Sequence, residues 1–150
     1  MEVFKRELIY LQEDIISKGH CIATMAEYLY ENEKIADLNV FLEAVFEREE
    51  IMSTGIGRGI AIPHGRSSVV KELSCVLMTL KNEIDFDSID GVPVKIVFML
   101  CVPEDVHSEY TQLLSKISKY MHDEYLKNAL LTSDSVDEVY QLIKGIENEI

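Results

Sequence analysis

Seven apolar residues in a row, Ile96 to Val102, limit what this chain can fold into more than any other stretch of it. A strand with one wet face alternates apolar and polar positions. An unbroken apolar run has both faces covered, which calls for a sheet with helices above and below it. Pro103 closes the run because its ring nitrogen has no hydrogen to donate. A chain of 150 residues forms one such domain, 1–150, and buries about 70% of the surface its unfolded form exposes. The run falls far short of the roughly 20 residues of a membrane helix, and the start Met-Glu-Val-Phe-Lys lacks a signal-peptide pattern. Direct membrane insertion is not expected, and a cytoplasmic location is.

The flanking sequence supplies the other elements. Leu8 to Leu11 reads as a short first strand. From Ser17 the pattern turns helical, with Ile22, Met25, Ala26 and Leu29 on one face and a stop at Asn32. Asp37 caps a second helix that buries Leu38, Phe41, Leu42, Val45 and Phe46. Leu73 to Leu80 reads as a buried strand, and Asp90-Gly91 as the turn before Pro93. Beyond Pro103 a long amphipathic helix carries Val106, Tyr110, Leu113, Leu114, Ile117, Tyr120 and Met121. Two more helices span Glu124 to Leu131 and Ser135 to Asn148, the last opened by the capping-box spacing of Ser135 and Glu138. The expected fold is an α/β three-layer sandwich around a small mixed sheet, in the order β-α-α-β-β-β-α-α-α. A short link such as Asp90-Gly91 demands at least one antiparallel pair.

Chemistry concentrates in Ser53 to Arg66, which reads S-T-G-I-G-R-G-I-A-I-P-H-G-R. Three alternating glycines permit unusual backbone angles and close approach. Ile60 to Ile62 is a short buried strand, and Pro63 is expected to end its pairing, leaving His64 held at the strand's exit yet reachable. Between Ile51 and Lys71 there is no acidic residue, but there are Arg58, Arg66 and Lys71, in a chain whose net charge is −13. Electropositive ground around a fixed histidine suits an anion, bound or transferred.

Phe41 to Glu50, the G-I-A-I-P-H core ending at His64, Asp85-Phe-Asp87 and Asp90-Gly91 together resemble the enzyme IIA domains, fructose/mannitol type (EIIA type-2), of the bacterial phosphoenolpyruvate-dependent sugar phosphotransferase system (PTS). The resemblance runs nearly end to end; the largest departure is Gly19-His20-Cys21, where an acidic helix start is expected. It implies that His64 accepts a phosphoryl group from the phosphocarrier protein HPr and passes it to a cysteine of a IIB domain. It also implies an arginine beside the histidine, Arg48, and a second histidine after the central strand, His107. From spacing alone Arg48 is a solvated cation at a helix end and His107 a first-turn surface residue. His20 and His122 are read as surface residues. Related domains also serve in nitrogen control, where the phosphohistidine signals rather than transports.

Other classes are poorly served. A net charge of −13 argues against nucleic acid, whose phosphates need clustered Lys and Arg. Cys21, Cys75 and Cys101 are odd in number and in apolar settings, so neither a disulfide framework nor a zinc site is expected. No G-K-[ST] follows the glycines, so no nucleotide, cofactor or metal is expected. A hydrolase would use His64 as base with Ser53, Ser67 or Ser68, but no G-x-S-x-G elbow is present.

Overall fold

The computed structural model describes residues 2–147. Its elements, in order, are β1 (Ile9–Glu13), α1 (Lys18–Glu31), α2 (Leu38–Ile51), β2 (Gly55–Gly57), β3 (Ile60–Ala61), β4 (His64–Arg66), β5 (Ser74–Ile84), β6 (Val94–Val102), α3 (Ser108–Tyr120), α4 (Glu124–Thr132) and α5 (Val136–Glu147). The apolar run lies within β6, at the centre of a sheet ordered β1-β5-β6-β3-β2, with β4 also paired to β6. Residues Ile96 to Val102 are at most 1% exposed. Their side chains alternate as a pleated strand requires. Val97, Met99 and Cys101 join the core beneath α1 and α2, whereas Ile96, Phe98, Leu100 and Val102 join the core beneath α3, α4 and α5. This is the three-layer arrangement expected from an all-apolar strand, and the sheet is mixed. β5 runs antiparallel to β6, while β3 and β4 run parallel to it.

The helix starts follow local chemistry. Ser17 Oγ accepts from His20 N–H at 3.1 Å, Asp37 Oδ1 from Val40 N–H at 3.1 Å, and Ser135 Oγ from Glu138 N–H at 3.2 Å. Each such cap satisfies a donor that the first turn leaves open, worth about 1 kcal/mol. All three cysteines are buried free thiols. Among the described residues no helix is long and apolar enough to cross a membrane.

Four expectations need correction. The first strand starts at Ile9 because Arg6–Leu8 closes a 3-10 turn ahead of it. The glycine stretch yields three short strands rather than one, so five strands, not three, stand between α2 and α3. Pro63 interrupts the edge without ending it. Its carbonyl accepts from Leu100 N–H at 3.0 Å, a bond needing no donor from proline, and pairing with β6 resumes at His64. Phe46 is 38% exposed, because α2 turns the line of Phe41, Val45 and Glu49 inward instead. The last expected helix residue, Asn148, lies outside the described residues.

Candidate functional site

β4 places His64 between β6 and α2. The close approach of α2 depends on Gly65: a methyl group there would lie 2.9 Å from Val45 Cγ2 and 3.3 Å from the Val45 nitrogen. With no side chain in the way, the helix lies against the strand and carries Arg48, one turn past Val45, to the histidine. His64 is only 9% exposed, and its Nδ1 stands 3.0 Å from the Ile62 carbonyl oxygen. A carbonyl can only accept, so Nδ1 carries the hydrogen and Nε2, on the opposite edge of the ring, keeps its lone pair. Burial lowers the His64 pKa below its ordinary 6.5; the Ile62 carbonyl opposes that shift, Arg48 and Arg66 add to it, and Glu49 works against it. The ring is therefore neutral at neutral pH, a nucleophile rather than a cation.

Two cavities, of about 340 Å³ and about 350 Å³, open beside the ring, and His64 and Arg48 are the two residues lining both. Arg66 and Tyr110 line the first. The second is largely apolar, with Met52, Ile56, Ile89 and Leu114 in its wall. Arg48 is fixed by donating from Nη1 to the Met52 carbonyl at 2.7 Å, which leaves its other guanidinium hydrogens for a ligand. Arg66 donates from Nη2 to the Val106 carbonyl at 2.8 Å and lies over the Tyr110 ring, 5.2 Å from its centre. That ring in turn lies 5.3 Å from the His64 ring.

Glu49 holds this corner from beneath. It is buried, accepts from Thr54 N–H at 3.1 Å and from the Thr54 hydroxyl, and pairs with Lys18 at 3.1 Å. The carboxylate thus joins the end of α2 and the entry to β2 to the start of α1. Sequence reasoning placed it in a charged helix end, yet the spacing Phe41, Val45, Glu49 puts it on the inward line of α2.

The other sequence candidates divide. Arg58, at φ 61, turns away from His64 and bonds Glu124 at 2.9 Å and the His122 ring at 3.0 Å. Lys71 lines a separate cavity with Lys5 and Glu72. His107 is exposed at the N-cap of α3, makes no capping bond, and is absent from both cavity walls beside His64. The physical reason is that it precedes the first helical turn; the inward face of α3 begins at Tyr110. His20 is exposed in the first turn of α1, and His122 is exposed beside Arg58. Ser53 donates to the Phe86 carbonyl at 2.5 Å, and Ser67 accepts from Val69 N–H, so neither hydroxyl is bonded to His64. Among the described residues no group of three or more His, Cys, Asp or Glu could hold a metal ion.

A buried neutral histidine that shares a cavity with two arginines, on a mixed sheet covered by helices, offers a place suited to an anionic group. The sequence model of one family, "Phosphoenolpyruvate-dependent sugar phosphotransferase system, EIIA 2", matches residues 2–146, and the chain belongs to that family, whose activity is phosphoryl transfer. It is 31% identical over 140 residues to the fructose-specific EIIA component of Haloferax volcanii, covering 93% of this chain and 91% of that protein. It is also 31% identical over 142 residues to the fructose-specific EIIABC component of Bacillus subtilis, covering 95% of this chain but only 22% of that longer protein. Among solved structures, the nitrogen regulatory protein IIA-Ntr of Neisseria meningitidis superposes with a TM-score of 0.88 at 31% identity, covering 95% of this chain and 97% of that one. Sugar-specific and nitrogen-regulatory members are thus both among its relatives.

Proposed function

We propose that this chain carries a phosphoryl group on His64 Nε2, taken from the phosphocarrier protein HPr and delivered to a cysteine of a IIB domain. The observation that carries the reading is the locked tautomer: Nδ1–H donates to the Ile62 carbonyl at 3.0 Å, which aims the Nε2 lone pair away from that anchor. In the forward step Nε2 attacks phosphorus in line, the Nε2–P bond forms, and the P–N bond to the donor imidazole breaks. The donor leaves as a neutral ring, and the Nδ1 proton does not move. Charge in the loose transition state spreads over the equatorial oxygens, so positioned cations supply most of the catalysis. Arg48, held by the Met52 carbonyl and lining both cavities beside His64, is one of them. Delivery reverses the geometry, with a thiolate as the attacking group and neutral His64 as the leaving group.

Both partners would meet His64 on the same surface. Ile51 is 80% exposed, Met52 58% and Ile89 74%. Such an apolar collar around a polar centre suits brief, repeated protein contact. Incubation with phosphoenolpyruvate, enzyme I and HPr should add one phosphate to the parent chain and none to His64→Ala, read by intact mass; phosphate gained at a histidine in the variant would sink the assignment.

The likeness to a nitrogen regulatory protein favours a second reading, in which the same phosphohistidine signals. Offering the loaded chain a fructose-type IIB domain separates the two. Rapid loss of phosphate to the IIB cysteine supports transport, and retention on His64 supports signalling.

A further inference from the structure

We propose that Tyr110 is the second catalytic side chain at this site, its phenol O–H donating a hydrogen bond to a phosphoryl oxygen on His64, in the role that the resemblance implied for His107. The inference rests on the phosphoryl-carrier reading of His64 and goes beyond it. Three observations support it. The Tyr110 ring lies 5.3 Å from the His64 ring, tilted at 53°, and lines the cavity shared by His64, Arg48 and Arg66. Among the described residues its hydroxyl has no hydrogen-bond partner, although the ring is half-buried. The ring is also held: Arg66 covers it at 5.2 Å and is itself tied to the Val106 carbonyl at 2.8 Å. A half-buried phenol without a partner, beside a nucleophile and two cations, is a donor awaiting an acceptor.

The chemistry differs from that of a histidine in the same role. Burial pushes the phenol up from its ordinary 10.0, although Arg48 and Arg66 pull the other way. The donor therefore keeps its proton throughout the neutral range and never switches with pH. It moves no proton in the step: the Nε2–P bond forms, the bond to the leaving nitrogen breaks, and the O–H shortens its contact as oxygen charge builds.

A chemical donor tests this without any partner protein. Phosphoramidate in its ammonium form transfers its phosphoryl group to Nε2 and releases ammonia, and intact mass follows the rate. Tyr110→Phe keeps the ring against His64 and Arg66 and removes only the donor. It should load about tenfold more slowly or worse, the usual loss for a hydrogen bond to a charged group. His107→Ala should load at the parent rate. Tyr110→His should add a second dependence on pH in the histidine range to the one that protonation of His64 already gives the parent. The chain has seven tyrosines and no tryptophan, so phosphorylation should also give a tyrosine difference spectrum in the near ultraviolet that weakens in Tyr110→Phe. Parent-rate loading of a folded Tyr110→Phe, or a slowdown confined to His107→Ala, would overturn the proposal and leave the phosphoryl-carrier reading standing. If the parent gains no phosphate on His64 from either donor, the reading beneath it falls first.

Discussion

Arg58 and Arg66 sit on the same glycine-rich stretch, and the fold treats them in opposite ways. Arg58, at the tip of the β2–β3 hairpin, pairs with Glu124 at 2.9 Å and meets His122 at 3.0 Å, while its carbonyl accepts from Lys127 at 2.8 Å. Its charge is neutralised in a clasp between the hairpin and the start of α4. Arg66 gives one hydrogen bond to a neutral carbonyl and, among the described residues, pairs with no carboxylate. Its charge acts on His64, whereas that of Arg58 is absent from the causes of the His64 shift. Sequence placed three cations near an anion site; the fold leaves one of them there and brings in Arg48 from another element. Proximity along the chain is a weak guide to electrostatics, because a cation serves an anion only where no acid of the same chain has already claimed it.

The comparison can be broken from its stronger side. Arg48→Ala should slow phosphoryl loading the most, because losing a charge-assisted bond at a transferring phosphoryl group raises the barrier by about 2 to 4 kcal/mol, or ~30- to ~1000-fold. Single-turnover loading from HPr would measure it; parent rates would return Arg48 to an ordinary helix-end cation. Arg66→Ala comes next, with roughly a tenfold slowdown, since its guanidinium is exposed and water screens part of its field. That slowdown should shrink as salt is raised, and a salt-independent loss would mean that packing against Tyr110, not charge, was removed.

Arg58→Ala should load at the parent rate. Its effect should be a small fall in melting temperature, since the pair with Glu124 is exposed on both sides. A rate loss as large as that of Arg66→Ala would erase the distinction between the two arginines. The smallest effect is a linkage. Burial holds the folded-state pKa of His64 below the ordinary 6.5, so the unfolded chain binds the extra proton first. Stability should be unaffected above that pH, fall as pH drops through it, and level off below the folded value. Comparing urea unfolding of parent and His64→Ala from pH 8 to pH 5 isolates this slope, which the variant should lack.

What the sequence disclosed was whatever rests on local pattern. The β6 run, the caps at Asp37 and Ser135, and the burial of three unpaired cysteines are each decided by a few neighbouring residues. His64 could be picked out because proline and glycine flank it. The rest of the candidate site depends on contacts across the sequence. Glu49 is hidden among charges, and only its neighbours on α2 betray the inward direction. Tyr110 looked like one more apolar-face residue, while His107 drew attention as a histidine; the helix begins one residue too late to turn His107 inward. Pro63 misled because it lacks a donor, whereas the parallel ladder called on its carbonyl.

The position of β6 between unlike neighbours also bears on the order in which the molecule forms and opens. β5 joins it through the short 85–93 link, so that Ile84 pairs with Val94, whereas His64 must find Leu100 and Ile9 must find Leu77 across much longer loops. Each doubling of a loop adds about 0.6 kcal/mol of closure entropy, which favours the β5–β6 hairpin as an early platform onto which β4 is added. The platform should also be the last unit to open, with β4 detaching from it at a lower free energy than global unfolding. In native-state hydrogen exchange, the Leu100 amide, bonded to the Pro63 carbonyl at 3.0 Å, should therefore exchange ahead of the β6 amides that face β5. The strand that holds His64 would then be the hinged part of the sheet, able to loosen and reseat while the hairpin beside it stays closed.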